Sequence, residues 1–197
     1  MEVKPRRGPG RPRNEEADRG IVSACLAVLS EQGYDRCSIE AVAARAGVTR
    51  ATVYRRHSTK ADLVSAALST LAGVEEPAET SAGLAAVIGL VEQFRSCMEA
   101  CDGLSIVASL YLHRDEHPEM LEEFRDRVVH PGRNRLVAAL SAARDAGELR
   151  ADADVELAAD ALMGGFLTRV LTGVPLPAGW AEQTVRGIWR GLAADAR

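Results

Sequence analysis

Residues 38–60 read "SIEAVAARAGVTRATVYRRHSTK", and the punctuation inside this stretch decides the architecture around it. Ser38 is a good N-cap for a short helix that turns Ile39, Val42 and Ala43 inward, and Gly47 supplies a left-handed stop after about two turns. Thr49 then caps a further helix beginning at Arg50. Two short helices joined by a tight glycine-containing turn make a helix-turn-helix, here spanning about 38–57, and the second helix of such a motif enters the major groove of DNA.

Charge agrees with that reading. Residues 41–61 contain no Asp or Glu, whereas an ordinary solvated helix face mixes both signs. With Val48 and Val53 facing the small core, Arg50, Thr52 and Tyr54, together with Arg55 or Arg56, are left to point outward. Base edges and phosphates are the expected contacts of this set, to which Ser38, Thr49 and Lys60 are added. Lys60 opens the next helix, expected over 60–73, where an ammonium and backbone N–H groups can hold a phosphate together. Residues 1–62 hold 12 Lys or Arg against 8 Asp or Glu, a net of +4, while residues 63–197 hold 12 against 20, a net of −8. The split implies a polyanion-binding module joined to a domain with different work.

Upstream, "MEVKPRRGPGRPR" at 1–13 is basic, proline-rich and almost devoid of apolar residues, which predicts a flexible arm. Its "GPGRPR" resembles the core of the AT-hook, with Arg11 and Arg13 as the side chains inserted into an adjacent minor groove. Asn14 can cap a first helix over about 15–32, whose stripe is Ile21, Val22, Cys25, Leu26, Val28 and Leu29 and whose stop is Gly33.

The run "SIEAVAARAGVTRATVYRRHSTKADLV" resembles the TetR family of bacterial one-component transcriptional regulators. Members characteristically show G-V-[ST]-x-x-T-[LIV]-Y-x-x-[FYW]-x-[ST]-K here, matched by Gly47, Val48, Thr49, Thr52, Val53, Tyr54, Thr59 and Lys60. Tyr54, Arg55 and Arg56 also resemble a subgroup that continues with Trp-Pro, but His57 and Ser58 stand in those places, His57 being expected to plug the same interhelical position. The resemblance implies an all-α protein with a DNA-binding domain at 14–74 and a larger effector-binding and dimerisation domain at 82–197. It implies a homodimer on a two-fold operator of double-stranded DNA, and repression relieved by an unknown small-molecule effector.

"EEPAETSAG" at 75–83 is a polar break. Helical segments are expected beyond it at about 82–101, 104–116, 119–146, 153–173 and 178–194, with Pro131 kinking the third. The segment 153–173 is apolar nearly all round (Val155, Leu157, Ala158, Ala161, Leu162, Phe166, Leu167, Val170, Leu171), so it is buried on both sides. Gly164 and Gly165 would admit a close neighbour. With Trp180, Val185, Ile188, Trp189 and Leu192 of the last helix, this predicts a symmetric four-helix interface between copies, or burial of both faces within one chain. The segments from 82 to 129 would enclose an effector cavity lined by Phe94, Met98, Cys101, Val107, Tyr111, Phe124 and Val128.

Other chemistry finds less support. "HRDEH" at 113–117 satisfies the H-x-x-E-H zinc-protease pattern and contains the H-R-D of kinase catalytic loops. Pro118 disfavours helix at His117 and so splits the two histidines across a helix end, and the kinase pattern lacks its asparagine and Gly-rich loop. No catalytic residue, metal or cofactor is assigned. Cys25, Cys37, Cys97 and Cys101 form no C-x-x-C pair and read as small core hydrophobes, although Cys97 and Cys101, one turn apart, have the spacing to sense oxidants or bind a soft metal. Neither a leader peptide nor a membrane span is expected, which places the chain in the cytoplasm without a membrane partner.

Overall fold

The computed structural model describes residues 12–71 and 83–194, and side chains from residue 16 onward within them. Among these residues the structure is helical, with one isolated antiparallel bridge between Leu149 and Ala193. The arm, with Arg11, lies outside the described residues.

The first helix, α1, spans Pro12–Arg36. Proline is well suited to the first helical position because its missing N–H has no intrahelical partner there. The expected cap at Asn14 is therefore overridden, and Arg13 sits on helical backbone rather than in an extended arm. Ile21, Ala24, Cys25, Val28 and Leu29 form the buried stripe. The helix is broken at Gly33, whose φ of 77° and ψ of 174° are readily adopted only without a side chain. A Cβ at Gly33 would also stand 3.0 Å from Ser109 Oγ, and that hydroxyl accepts a hydrogen bond from the Tyr34 amide at 3.0 Å. One glycine thus ends the straight run and admits a neighbouring helix.

Next come α2 (Ile39–Arg45), α3 (Arg50–Tyr54) and α4 (Lys60–Leu71). The Ser38 hydroxyl accepts from the Ala41 amide at 3.1 Å, and Gly47 takes φ 66° in the turn. After the gap in description follow α5 (Leu84–Ala100), α6 (Gly103–Leu112), α7 (Pro118–Phe124), α8 (His130–Asp145), α9 (Val155–Thr172) and α10 (Trp180–Leu192). A π-helical turn over Arg125–Val129 joins α7 to α8. Pro131 does not simply kink this segment: the lost hydrogen bond is absorbed just upstream by the wider turn, which inserts a residue into the helical register.

Two apolar clusters organise the packing. The first gathers α1 to α4 and extends beyond them, because Ile106 and Leu110 of α6 and Met120, Leu121 and Phe124 of α7 belong to it. The second is built from α5, α8, α9 and α10. The α8–α9 loop and the chain end are clasped together, with the Ala194 amide donating to Glu148 O at 3.2 Å and the Arg150 amide to Leu192 O at 2.8 Å.

The last two helices correct part of the sequence reading. Trp180 and Val185 are buried within their own chain, Trp180 edge-on to Phe166 with ring centroids 5.9 Å apart. A Cβ on Gly165 would meet the Trp180 ring at 3.8 Å, so that glycine faces α10 of the same chain. On α9, Val155, Ala158, Leu162 and Phe166 point inward, while Leu157 and Leu171 are 65% and 73% exposed. Only one of the two apolar faces of α9 is covered.

Candidate nucleic-acid interface and effector cavity

The position of α3 is set from both ends. At its start the Thr49 hydroxyl accepts from the Thr52 amide at 3.2 Å and lies 2.9 Å from the Thr52 hydroxyl. Val53, fully buried, pins the middle against the first cluster. With Val53 inside, Arg50, Tyr54 and Arg55 are exposed. Arg50 pairs across the turn with Glu40 of α2 at 2.5 Å, both side chains being more than half exposed. An exposed pair of this kind contributes little to stability and is readily exchanged for a phosphate or base edge.

Two residues expected in the interface are turned inward. The Arg56 side chain is only 12% exposed; its Nε pairs with Asp18 of α1 and its Nη1 donates to Thr52 O at 3.1 Å. It is a strut between α1 and α3. Lys60 folds back over the Tyr34 ring, its Nζ 3.9 Å from the centroid, and donates to Asp35 O at 3.3 Å. The first turn of α4 is capped instead by the Thr59 hydroxyl, which accepts from the Asp62 amide at 3.0 Å. Ser38 is occupied by its own cap, and His57 is half-buried after α3.

All seven side chains expected around a cavity line one space of about 350 Å³. Phe94, Met98 and Cys101 come from α5 and its end, Val107 and Tyr111 from α6, Phe124 from α7 and Val128 from the π turn. The enclosure is wider than the span 82–129, since Arg135 and Leu136 of α8 and Leu162, Met163 and Leu167 of α9 complete it, with Leu71 at the end of α4. The walls are mostly apolar, with Gln93, Arg125, His130 and Arg135 as the polar groups. Tyr111 is 44% exposed, and the Arg125 guanidinium lies 5.9 Å from its ring. Cys97 and Cys101 are half-buried wall residues rather than core; the Cys97 thiol donates to Leu71 O at 3.2 Å.

Residues 21–67 match the model of the bacterial regulatory proteins of the tetR family, and residues 77–188 match that of the tetracyclin repressor-like C-terminal domain. The chain belongs to the TetR family. It is a DNA-binding transcriptional regulator. An HTH-type transcriptional regulator of Bacillus subtilis, YdeS, is 27% identical over 189 residues, covering 95% of each chain. The DNA-binding transcriptional repressor TetR of Mycobacteroides abscessus is 30% identical over 170 residues, covering 83% of this chain and 87% of the other. Among solved structures, the regulator FadR of Bacillus subtilis, in complex with stearoyl-CoA, superimposes with a TM-score of 0.66 at 20% identity, over 91% of this chain and 99% of that one. The flavonoid-responsive regulator FrrA gives a TM-score of 0.63 at 19% identity over 92% and 100%. These two likenesses establish the fold.

Within the TetR-family frame, the exposed Arg50, Tyr54 and Arg55 sit on the reading helix, and the cavity lies in the C-terminal domain. The polar cavity residues escaped the sequence because the π turn shifts the facing of everything after it by about one residue, or roughly 100° around the helix. Among the described residues no helix is long and apolar enough to cross a membrane.

Proposed function

We propose that this TetR-family chain is a homodimeric repressor that reads a two-fold operator through α3 and leaves it when a small, largely apolar molecule fills the cavity. Arg50, Tyr54 and Arg55 supply the groove and phosphate contacts, with Thr49 and Thr52 at the helix start and the 1–13 arm on the neighbouring minor groove. The Tyr54–Arg56 opening keeps the subgroup resemblance despite His57 and Ser58. Repression is favoured by the 30% identical repressor of Mycobacteroides abscessus. A fold shared with a stearoyl-CoA complex and a flavonoid-responsive regulator supports a small-molecule effector.

One observation carries the coupling. Leu71, Cys101, Val107, Phe124 and Val128 line the cavity and at the same time belong to, or pack on, the apolar cluster that supports α1 to α4. A ligand that moves this shared wall changes the seat of the DNA-binding helices. Effector binding then shifts the population toward a dimer with wrongly spaced reading helices. A typical coupling of about 1–3 kcal/mol weakens DNA binding roughly 5- to 150-fold.

Dimerisation follows from the uncovered side of α9. Leu157, Ala161, Gly164, Thr168 and Leu171 recur at helical spacing, with Leu157, Ala161 and Leu171 exposed, and an isologous pairing of this face with its copy buries it. Gly187 and Gly191 are the exposed small residues of α10 that would let the partner approach.

Titration of the protein against fragments of its own promoter, by fluorescence anisotropy at two salt concentrations, tests the reading. One short two-fold site should bind tightly, and Arg50→Ala should weaken it by about 1–3 kcal/mol. Equal, steeply salt-dependent binding to all fragments, indifferent to Arg50, would instead mark an architectural DNA-binding protein.

A further inference from the structure

The "HRDEH" stretch contains an arrangement that a search for helix-face pairs misses. His113 closes α6, and His117 precedes α7 with φ −134° and ψ 59°, so the two imidazoles are not stacked on one helix. They converge on a third group instead. Asp35, in the turn that α1 makes after Gly33, places Oδ2 3.3 Å from His113 Nδ1 and Oδ1 3.1 Å from His117 Nε2. Glu116 Oε2 lies 3.0 Å from the same His113 Nδ1.

The ligand atoms of Asp35, His113 and Glu116 all lie within 4.8 Å of one another. A tetrahedral ion with bonds of about 2.0–2.2 Å needs ligand atoms roughly 3.3–3.5 Å apart. Two of the three separations are therefore within a few tenths of an ångström of a coordination edge. One imidazole nitrogen and two carboxylates suit a first-row divalent cation, whose charge cancels that of the two carboxylates. Lys60 does not perform that neutralisation, because its ammonium bonds the main-chain oxygen of Asp35.

His117 completes the arrangement from outside. Its Nδ1 faces Glu119 Oε1 at 3.6 Å and its ring packs edge-on against Tyr34, with centroids 4.8 Å apart. Held in this way, it bonds the oxygen of Asp35 that does not face His113. That is the place of an outer partner that orients a ligating carboxylate. Asp35 and Glu116 are about half and two-thirds exposed, which leaves a path for the ion and room for water as a further ligand.

We propose that Asp35, His113 and Glu116 bind one first-row divalent transition cation, with His117 as the positioning residue for Asp35. The site joins the last turn of α1 to the α6–α7 connection, so the bound ion ties the DNA-binding half to the wall-bearing half. Its existence does not depend on which effector fills the cavity.

The test is calorimetric titration of chelator-stripped full-length protein with Zn²⁺, with thermal melts in parallel. The wild type should take up one Zn²⁺ per chain at this site and melt higher with it. Asp35→Asn, which keeps the shape, and His113→Gln should each lose that equivalent while melting like the wild type without metal. His117→Ala should retain it with affinity lowered about 10- to 100-fold. The double variant Cys97→Ser, Cys101→Ser should keep it, which separates the site from the thiols. Absence of binding by the wild type, survival in both Asp35→Asn and His113→Gln, or loss on replacing the cysteines would each overturn the assignment.

Discussion

Cys97 and Cys101 sit one turn apart in the cavity wall, and the pair divides the proton unequally. Hydrogen bonding from Cys101 draws the Cys97 thiol down to about 7, against the opposing effect of burial, while Cys101 is pushed upward by the same contact. Cys25 is also pushed upward, by its bond with Cys37 and by desolvation in the core. The thiolate is the nucleophile, so reactivity at Cys97 rises as pH climbs through about 7 and levels off above it. Iodoacetamide followed by peptide mass mapping should find Cys97 labelled first, with that pH profile, and Cys25 untouched in the native state. Equal labelling of all four, or a rate at Cys97 still climbing steeply above pH 8, would contradict this ordering.

Neighbouring arginines at the end of α3 play opposite parts, and this shows at the level of the element. Arg56→Ala removes the α1–α3 strut and should cost about 1–2 kcal/mol, seen as a lower Tm, with the salt dependence of DNA binding unchanged. Arg55→Ala should leave Tm alone and reduce the salt slope by about 1. The order of α2, α3 and α4 was legible in the sequence because Ser38, Gly47 and Thr49 act on their immediate neighbours. The choice between Arg55 and Arg56 was not, since it depends on Asp18, 38 residues away in the chain. The same limit explains Lys60, drawn off by Tyr34 and Asp35, and the start of α1 at Pro12. All seven apolar wall positions were legible from their spacing, whereas Arg125, His130 and Arg135 were displaced from any regular face by the π turn. In α9 the pattern announced two apolar faces; tertiary packing decides which one the chain covers itself.

For the whole molecule, the exposed α9 face sets the assembly. Leu157→Glu together with Leu171→Glu should leave the monomer fold intact, since both side chains are mostly outside it, and should produce monomers in sedimentation analysis. Operator affinity should fall with the dimer, because a two-fold site rewards two reading helices about 34–36 Å apart on one rigid body. A variant that remains dimeric would move the interface elsewhere.

The first apolar cluster, which draws Ile106, Leu110, Met120, Leu121 and Phe124 into the support of α1 to α4, also limits how the protein can be re-engineered. A hybrid regulator made by cutting between α4 and α5 and grafting on a foreign sensing half would leave Leu63, Val64 and Leu68 facing side chains they do not fit. Transplanted alone, the DNA-reading unit lacks its floor. A graft that carries α6 and α7 along with α1 to α4 keeps the native seam, and only then can the specificity of one regulator be joined to the chemistry sensed by another.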